Sequence, residues 1–260
     1  MTAPVLRALV TGASAGIGAT FARRLAERGV DLVLVARRGS RLRELAAELP
    51  VDVEVVVADL ADRADLHRLE ARLGDRERPV DLLINNAGFG AYADVVELDA
   101  ELQTAVIDVN VTALVRLTRA ALPGLLERGR GGIINVGSTA GFQPTPHSAT
   151  YGASKAFVRS FTEAVHEELR GTPVQALHLA PGITDTEFQQ VSGVSRERLP
   201  DAAVMSSQQV VDTALTAFAR GDAVCVPGLA NRATALGARL VPGVVTRRMS
   251  SLFHRRIATR

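Results

Sequence analysis

The chain has 260 residues, 47% of them hydrophobic and 22% charged, with a single cysteine and a formal net charge of +2. That is enough apolar material for one sizeable core, whereas one thiol rules out an internal disulfide and no apolar run approaches bilayer-spanning length. The near-neutral total hides an asymmetry, because all 28 acids precede residue 228, beside 23 bases, while residues 228–260 carry seven arginines and no acid.

In chain order, the start MTAPVLRALVTG has neither the basic stretch nor the small-residue cleavage site of a secretory signal, so the expected location is the cytoplasm. VLRALV reads as a first strand, followed by a helix from about Gly16. VDLVLVA and VDVEVVVADL read as strands two and three, each followed by a helical pattern. VDLLIN, a long helix from about Asp99, GGIINVGS, a helix from about Thr150, PVQALHLA and a short AVCVP complete the series. Short apolar runs alternating with helical segments imply βαβ units. The expected fold is α/β, a Rossmann-like doubly wound, mainly parallel seven-stranded sheet with helices on both faces. Cys225, inside AVCVP, reads as an inert core thiol, and five scattered histidines offer no metal-site spacing.

The first strand runs into TGASAGIG, with Gly12, Gly16 and Gly18 where strand should turn into helix. Glycines there permit a tight turn and close backbone approach to a pyrophosphate, whose charge suits the free N–H groups of a helix start. The spacing is G-x-x-x-G-x-G, not G-x-G-x-x-G. An acid normally ends the second strand when the ribose 2′-hydroxyl is to be bound. Here Ala36 stands at that position and Arg37 and Arg38 follow, a guanidinium pair suited to a 2′-phosphate. NADP(H) is the expected cofactor.

Of 30 basic side chains only Lys155 is a lysine, and one of only two tyrosines, Tyr151, lies four residues before it in YGASK. On a helix the two share a face. A free phenol with a pKa of about 10 is of little use at neutral pH, so the neighbouring cation, a helix N-terminus and a bound nicotinamide cation together are expected to lower the Tyr151 pKa and make it a general acid/base.

These motifs together resemble the short-chain dehydrogenase/reductase family, in its compact single-domain branch, over nearly residues 5–227. The matching segments are TGASAGIG, NNAG at 85–88, Asn110, Ser138, YGASK and PGITDT. The resemblance implies that Ser138 binds the substrate oxygen, Tyr151 transfers the proton, Lys155 binds the nicotinamide ribose and Asn110 holds a relay water. It also implies cofactor contacts from Gly12, Ser14, Gly16, Ile17 and Gly18 in the loop and from Asp59 at the adenine. Asn86, Ala87 and Gly88 would line the ribose region, and Pro181, Gly182, Ile183 and Thr186 would follow the nicotinamide, with Ile183 and Thr186 at its carboxamide. Ala15 departs from the basic residue many NADP-binding relatives carry, and Thr184 stands where valine is common.

The implied activity is carbonyl–alcohol interconversion by an NADP(H)-dependent enzyme acting as a dimer or tetramer. The rivals are a non-catalytic NADP(H) sensor or scaffold on the same fold and a nucleotide-sugar epimerase or dehydratase. Within a catalytic domain of residues 1–227, segment 183–206 reads as a substrate loop, with Phe188, Val191, Leu199, Val204 and Met205 available for an apolar wall facing a lipophilic carbonyl. Residues 228–260 read as a basic amphipathic extension: Leu229, Ala233, Leu236 and Leu240 form one stripe, Val245, Met249, Leu252 and Phe253 another. Such stripes usually serve burial, on this chain or an oligomeric partner, with an anionic membrane surface as the alternative. Without aromatic residues interleaved among the arginines, nucleic acid is not an expected partner.

Overall fold

The computed structural model describes residues 5–188 and 204–241, together with 247, 248, 250 and 251. Val191, Leu199, Val245, Met249, Leu252 and Phe253 lie outside the described residues. Seven strands form one sheet: β1 (Arg7–Thr11), β2 (Asp31–Ala36), β3 (Val53–Val57), β4 (Leu82–Asn85), β5 (Gly132–Val136), β6 (Gln175–Leu179) and β7 (Val224–Cys225). Their order is β3-β2-β1-β4-β5-β6-β7, and every neighbouring pair is parallel. The helices are α1 (Gly16–Ala26), α2 (Gly39–Glu48), α3 (Arg63–Leu73), α4 (Ala100–Ile107), α5 (Leu114–Arg128), α6 (Ala149–Glu168), α7 (Ser207–Arg220) and α8 (Leu229–Leu240).

Period-two alternation in the strands divides the core in two. Ala8, Val10, Leu32, Leu34, Leu82 and Ile84 pack with Phe21, Leu42 and Val211 from α1, α2 and α7. The intervening Leu9, Val33, Val35, Leu83 and Ile133 pack with Leu69, Leu117 and Val165 from α3, α5 and α6. Both faces are therefore covered, as a parallel sheet requires. The long helix expected from Asp99 does start there, with the Asp99 side chain accepting from Leu102 N. It is interrupted by a π-helical turn over Asp108–Ala113 before α5 resumes.

Two buried polar devices set the frame. Asn85 and Asn135 are register partners on β4 and β5, and Asn85 Nδ2 donates to Asn135 Oδ1 at 2.9 Å. Asn135 Nδ2 then donates to Thr162 Oγ1 at 3.0 Å, tying α6 to the sheet. At the other end of β4, the Asp81 side chain is 1% exposed. It accepts from Leu6 N at 3.0 Å, from Arg128 Nε at 3.3 Å and from Arg130 Nε at 3.1 Å.

Helix α8 follows β7 directly, and its stripe is not buried as a unit: Leu229 is 83% and Leu236 59% exposed, whereas Ala235 is buried. Among the described residues no helix is long and apolar enough to cross a membrane.

Replacing Asp81 by alanine removes the shared acceptor and leaves two largely buried guanidinium groups without it. The expected loss is about 2–4 kcal/mol of stability, measured as a lower urea midpoint at unchanged slope.

Candidate active site

The strand order reverses beside β1, so β1 and β4 send their following loops to opposite faces and leave a crevice at their carboxyl ends, where open α/β sheets bind ligands. The glycine loop lines it from one side. Gly12 adopts φ +65°, a left-handed conformation that glycine takes without penalty. A Cβ at position 18 would collide with the Gly12 carbonyl oxygen, so the first turn of α1 can sit tight against the loop only as glycine. Ser14 is at the loop's outer edge and accepts from Arg38 Nε at 3.2 Å and Nη2 at 3.1 Å. Ile17 turns the other way and packs on the core.

From the opposite side comes the segment after β4. Asn86 Nδ2 donates to Thr11 O at 2.9 Å and Gly12 O at 3.3 Å. Thr11 Oγ1 in turn accepts from the amides of Asn86 and Ala87, each at 3.0 Å. Asn86 thus spends its amide donors bracing the glycine loop, while Ala87 and Gly88 continue along the crevice. Residues four apart do meet as expected: Tyr151 and Lys155 both face inward from the first turns of α6 and are both buried.

Lys155 Nζ donates to Val136 O at 2.9 Å, at the end of β5. It lies 5.8 Å from the Tyr151 ring centroid and 3.2 Å from where a Gly88 Cβ would be. No carboxylate joins it among the described residues, and burial lowers its pKa to about 8. The Tyr151 hydroxyl is hydrogen-bonded to the Ser138 side chain. Among the protein's own groups, burial is the dominant influence on this tyrosine. Burial, then the nearby Tyr92 phenol, push the Tyr151 pKa well above its ordinary value, opposed only by the Ser138 bond.

Asn110 sits in the π-helical turn, 1% exposed. Its Oδ1 accepts from Phe89 N at 3.1 Å, and its Nδ2 donates to Phe89 O at 2.9 Å and Ser154 Oγ at 3.0 Å. Ser154 Oγ donates to Tyr151 O at 2.7 Å. Ser154, inside YGASK, is therefore a bridge between Asn110 and the Tyr151 carbonyl of α6 that spacing did not single out. Gly90 was also missed: its Cβ position lies 2.8 Å from the Tyr151 ring, so only glycine admits that ring.

The far wall is the segment after β6. Pro181 O accepts from Thr139 N at 2.9 Å, Gly182 abuts Asn231 of α8, and Ile183 pairs with Met205 through its carbonyl at 2.9 Å. The Thr186 methyl lies 3.0 Å from the Cβ position of Gly16. The Phe188 ring packs on Tyr151 at a centroid distance of 5.6 Å. After β2 and β3, Arg37 is 3.7 Å from Asp59 Oδ2, and Asp59 Oδ1 also accepts from Ala61 N at 3.0 Å. Arg38 and Arg41 both reach Glu187; of these, Arg41 and Glu187 have no motif to announce them.

The arrangement suits a nicotinamide dinucleotide. The loop geometry excludes a Cβ at its closest approach, and a buried ammonium with one carbonyl partner offers further donors to ribose hydroxyls. Gly18→Ala should cost about 1–3 kcal/mol, read as a lower melting temperature, and should abolish the stabilisation that added NADPH confers on the parent chain.

Residues 7–196 match the family model described as short chain dehydrogenase. The chain is 41% identical over 185 residues to the NADP-dependent 3-hydroxy acid dehydrogenase YdfG of Salmonella typhi, covering 70% of this chain and 75% of that protein. It is 42% identical over 199 residues to sulfoacetaldehyde reductase 2 of Chromohalobacter salexigens, covering 75% and 79%. Among solved structures, a short-chain dehydrogenase from Sphingobium yanoikuyae in complex with NADPH superposes with a TM-score of 0.83 at 42% identity, over 91% of this chain and 94% of that one. A bulky-bulky ketone specific alcohol dehydrogenase from Comamonas testosteroni gives 0.78 at 35%, over 92% and 93%. With the family model spanning most of the chain and these identities over long stretches, the chain belongs to the short-chain dehydrogenase family of oxidoreductases.

Proposed function

We propose that this chain is an NADP(H)-dependent oxidoreductase that interconverts a carbonyl and an alcohol, with Tyr151 as the proton-transferring group. The observation that carries this reading is the buried Tyr151 hydroxyl, bonded to Ser138 and one helical turn from the buried Lys155 ammonium. Bound in the crevice, the nicotinamide would supply or accept the hydride. Gly12, Ser14, Gly16, Gly18, Ala87 and Gly88 would hold the dinucleotide, with Arg37 and Arg38 at its 2′-phosphate, and Lys155 would hold a ribose hydroxyl. Ser138 would orient the substrate oxygen. Held protonated by its burial, Tyr151 donates to a carbonyl oxygen as negative charge develops there, and Phe188 beside it favours a carbonyl with an apolar flank.

The relatives' substrates define the first panel to screen: 3-hydroxy acids, sulfoacetaldehyde and bulky ketones. We place the protein in the cytoplasm and expect a homo-oligomer, a reading supported by the exposed Leu126 on α5 and Phe157 on α6 and checked by analytical ultracentrifugation. NADPH oxidation across the panel tests the main reading, and binding without turnover would mark a nucleotide sensor instead.

Tyr151→Phe should lower kcat by about 10²–10⁴-fold while NADPH still quenches or enhances fluorescence at unchanged affinity. Retained turnover overturns the assignment. Arg37→Ala should weaken NADP(H) by about tenfold and NAD(H) little, as measured by titration of both.

The lowered Lys155 pKa has a definite sign. The ammonium prevails below about 8 and the neutral amine above it, so NADPH affinity should fall as the pH rises past 8. In Lys155→Met that descending limb should be missing from the affinity–pH profile.

A further inference from the structure

The two arginines reaching Glu187 both come from the start of α2. Arg38 is the residue before α2, and Arg41 lies in that helix's first turn. Arg38 Nη1 donates to Glu187 Oε2 at 2.7 Å, and Arg41 Nη1 donates to Glu187 Oε1. The same Arg38 guanidinium donates twice to Ser14 Oγ in the glycine loop. The carboxylate thus occupies a fork of two guanidinium groups beside a hydroxyl, an arrangement that suits a phosphate at least as well as a carboxylate. Both arginines hold the Glu187 carboxyl below its usual pKa, so it is an anion at neutral pH.

A second observation lies next to this cluster. Two residues before Phe188, the Thr186 side chain rests on Gly16 of the phosphate loop, so the segment that carries Glu187 begins against that loop. A cavity of about 370 Å³ opens beside them, with Ser14, Gly16, Arg23, Arg41 and Glu187 in its walls. It gives the carboxylate or an incoming phosphate room to move. All three ion-paired side chains are between 41% and 45% exposed, which leaves the pairs screened by water and readily exchanged.

We propose that Glu187 is an internal anion that holds the Arg38–Arg41 fork until the cofactor's 2′-phosphate displaces it, so that binding NADP(H), and not NAD(H), releases the start of the substrate segment from the phosphate loop. This rests on the NADP(H) reading above and adds Arg41 to the phosphate site. The exchange swaps one anion for another on unchanged guanidinium groups, with no covalent step. Its consequence is that the free-energy difference between the two cofactors depends on residue 187 as well as on the arginines.

The test uses adenosine 2′,5′-bisphosphate and 5′-AMP as probes, titrated calorimetrically into the full-length parent chain, Glu187→Gln and Glu187→Gln/Arg41→Ala. Glu187→Gln should bind the bisphosphate about fivefold more tightly with 5′-AMP affinity unchanged, and the added Arg41→Ala should cancel the gain. An unchanged or weakened bisphosphate affinity in Glu187→Gln, or an equal gain for both probes, overturns the proposal while leaving the cofactor assignment intact. A parent chain that binds both probes equally overturns the two together.

Hydrogen exchange of the peptide spanning 184–188 in the parent chain provides a measurement that needs no variant. The bisphosphate should speed its exchange and 5′-AMP should not, and slower exchange with the bisphosphate counts against the displacement.

Discussion

Seven strands that all run the same way impose the constraint on which the remaining structure depends. Parallel strands must be joined by crossovers, and the crossovers cover both sheet faces. Every strand then ends on one edge, and the loops after β1, β4, β5 and β6 converge there. The glycine loop, Asn86–Gly88, Ser138 and Pro181–Thr186 are those four loops. The site is therefore a product of strand direction first and of residue identity second.

Within that edge the chemistry is governed by burial. Lys155 and Tyr151 are both taken out of water, and for each the neutral form gains. For the lysine this brings the ammonium within reach of deprotonation in mildly alkaline solution. For the tyrosine it strengthens the hold on the proton. Its hydroxyl is bonded to Ser138, and that bond opposes the rise in pKa.

Much of the polar material around the pair works on position. Asn110 clamps Phe89 at both backbone groups and reaches α6 through Ser154. Asn86 braces the glycine loop, and the Asn85–Asn135–Thr162 chain fastens α6 to the sheet. The amide nitrogens of all these side chains donate to protein groups, so α6, which carries the tyrosine and lysine, is tied down from two sides. The π-helical turn carrying Asn110 fits the same pattern, since such turns place a side chain that regular α-helix would aim elsewhere.

What the sequence by itself determined is whatever depends on local periodicity and on residues close in the chain. Strand alternation, the strand-to-helix turn at Gly12–Gly18 and the shared face of Tyr151 and Lys155 all follow from backbone geometry over a few residues, and the sheet came out with the expected seven strands. Depth and partnership were decided only in three dimensions. Glu187 meets Arg38 across 149 positions of chain, and no local signal distinguishes it from any other loop acid. The desolvation of Tyr151 belongs with these: spacing shows that a cation is near, but how far the hydroxyl is taken out of water is set by the other segments that close over it, and those come from all along the chain.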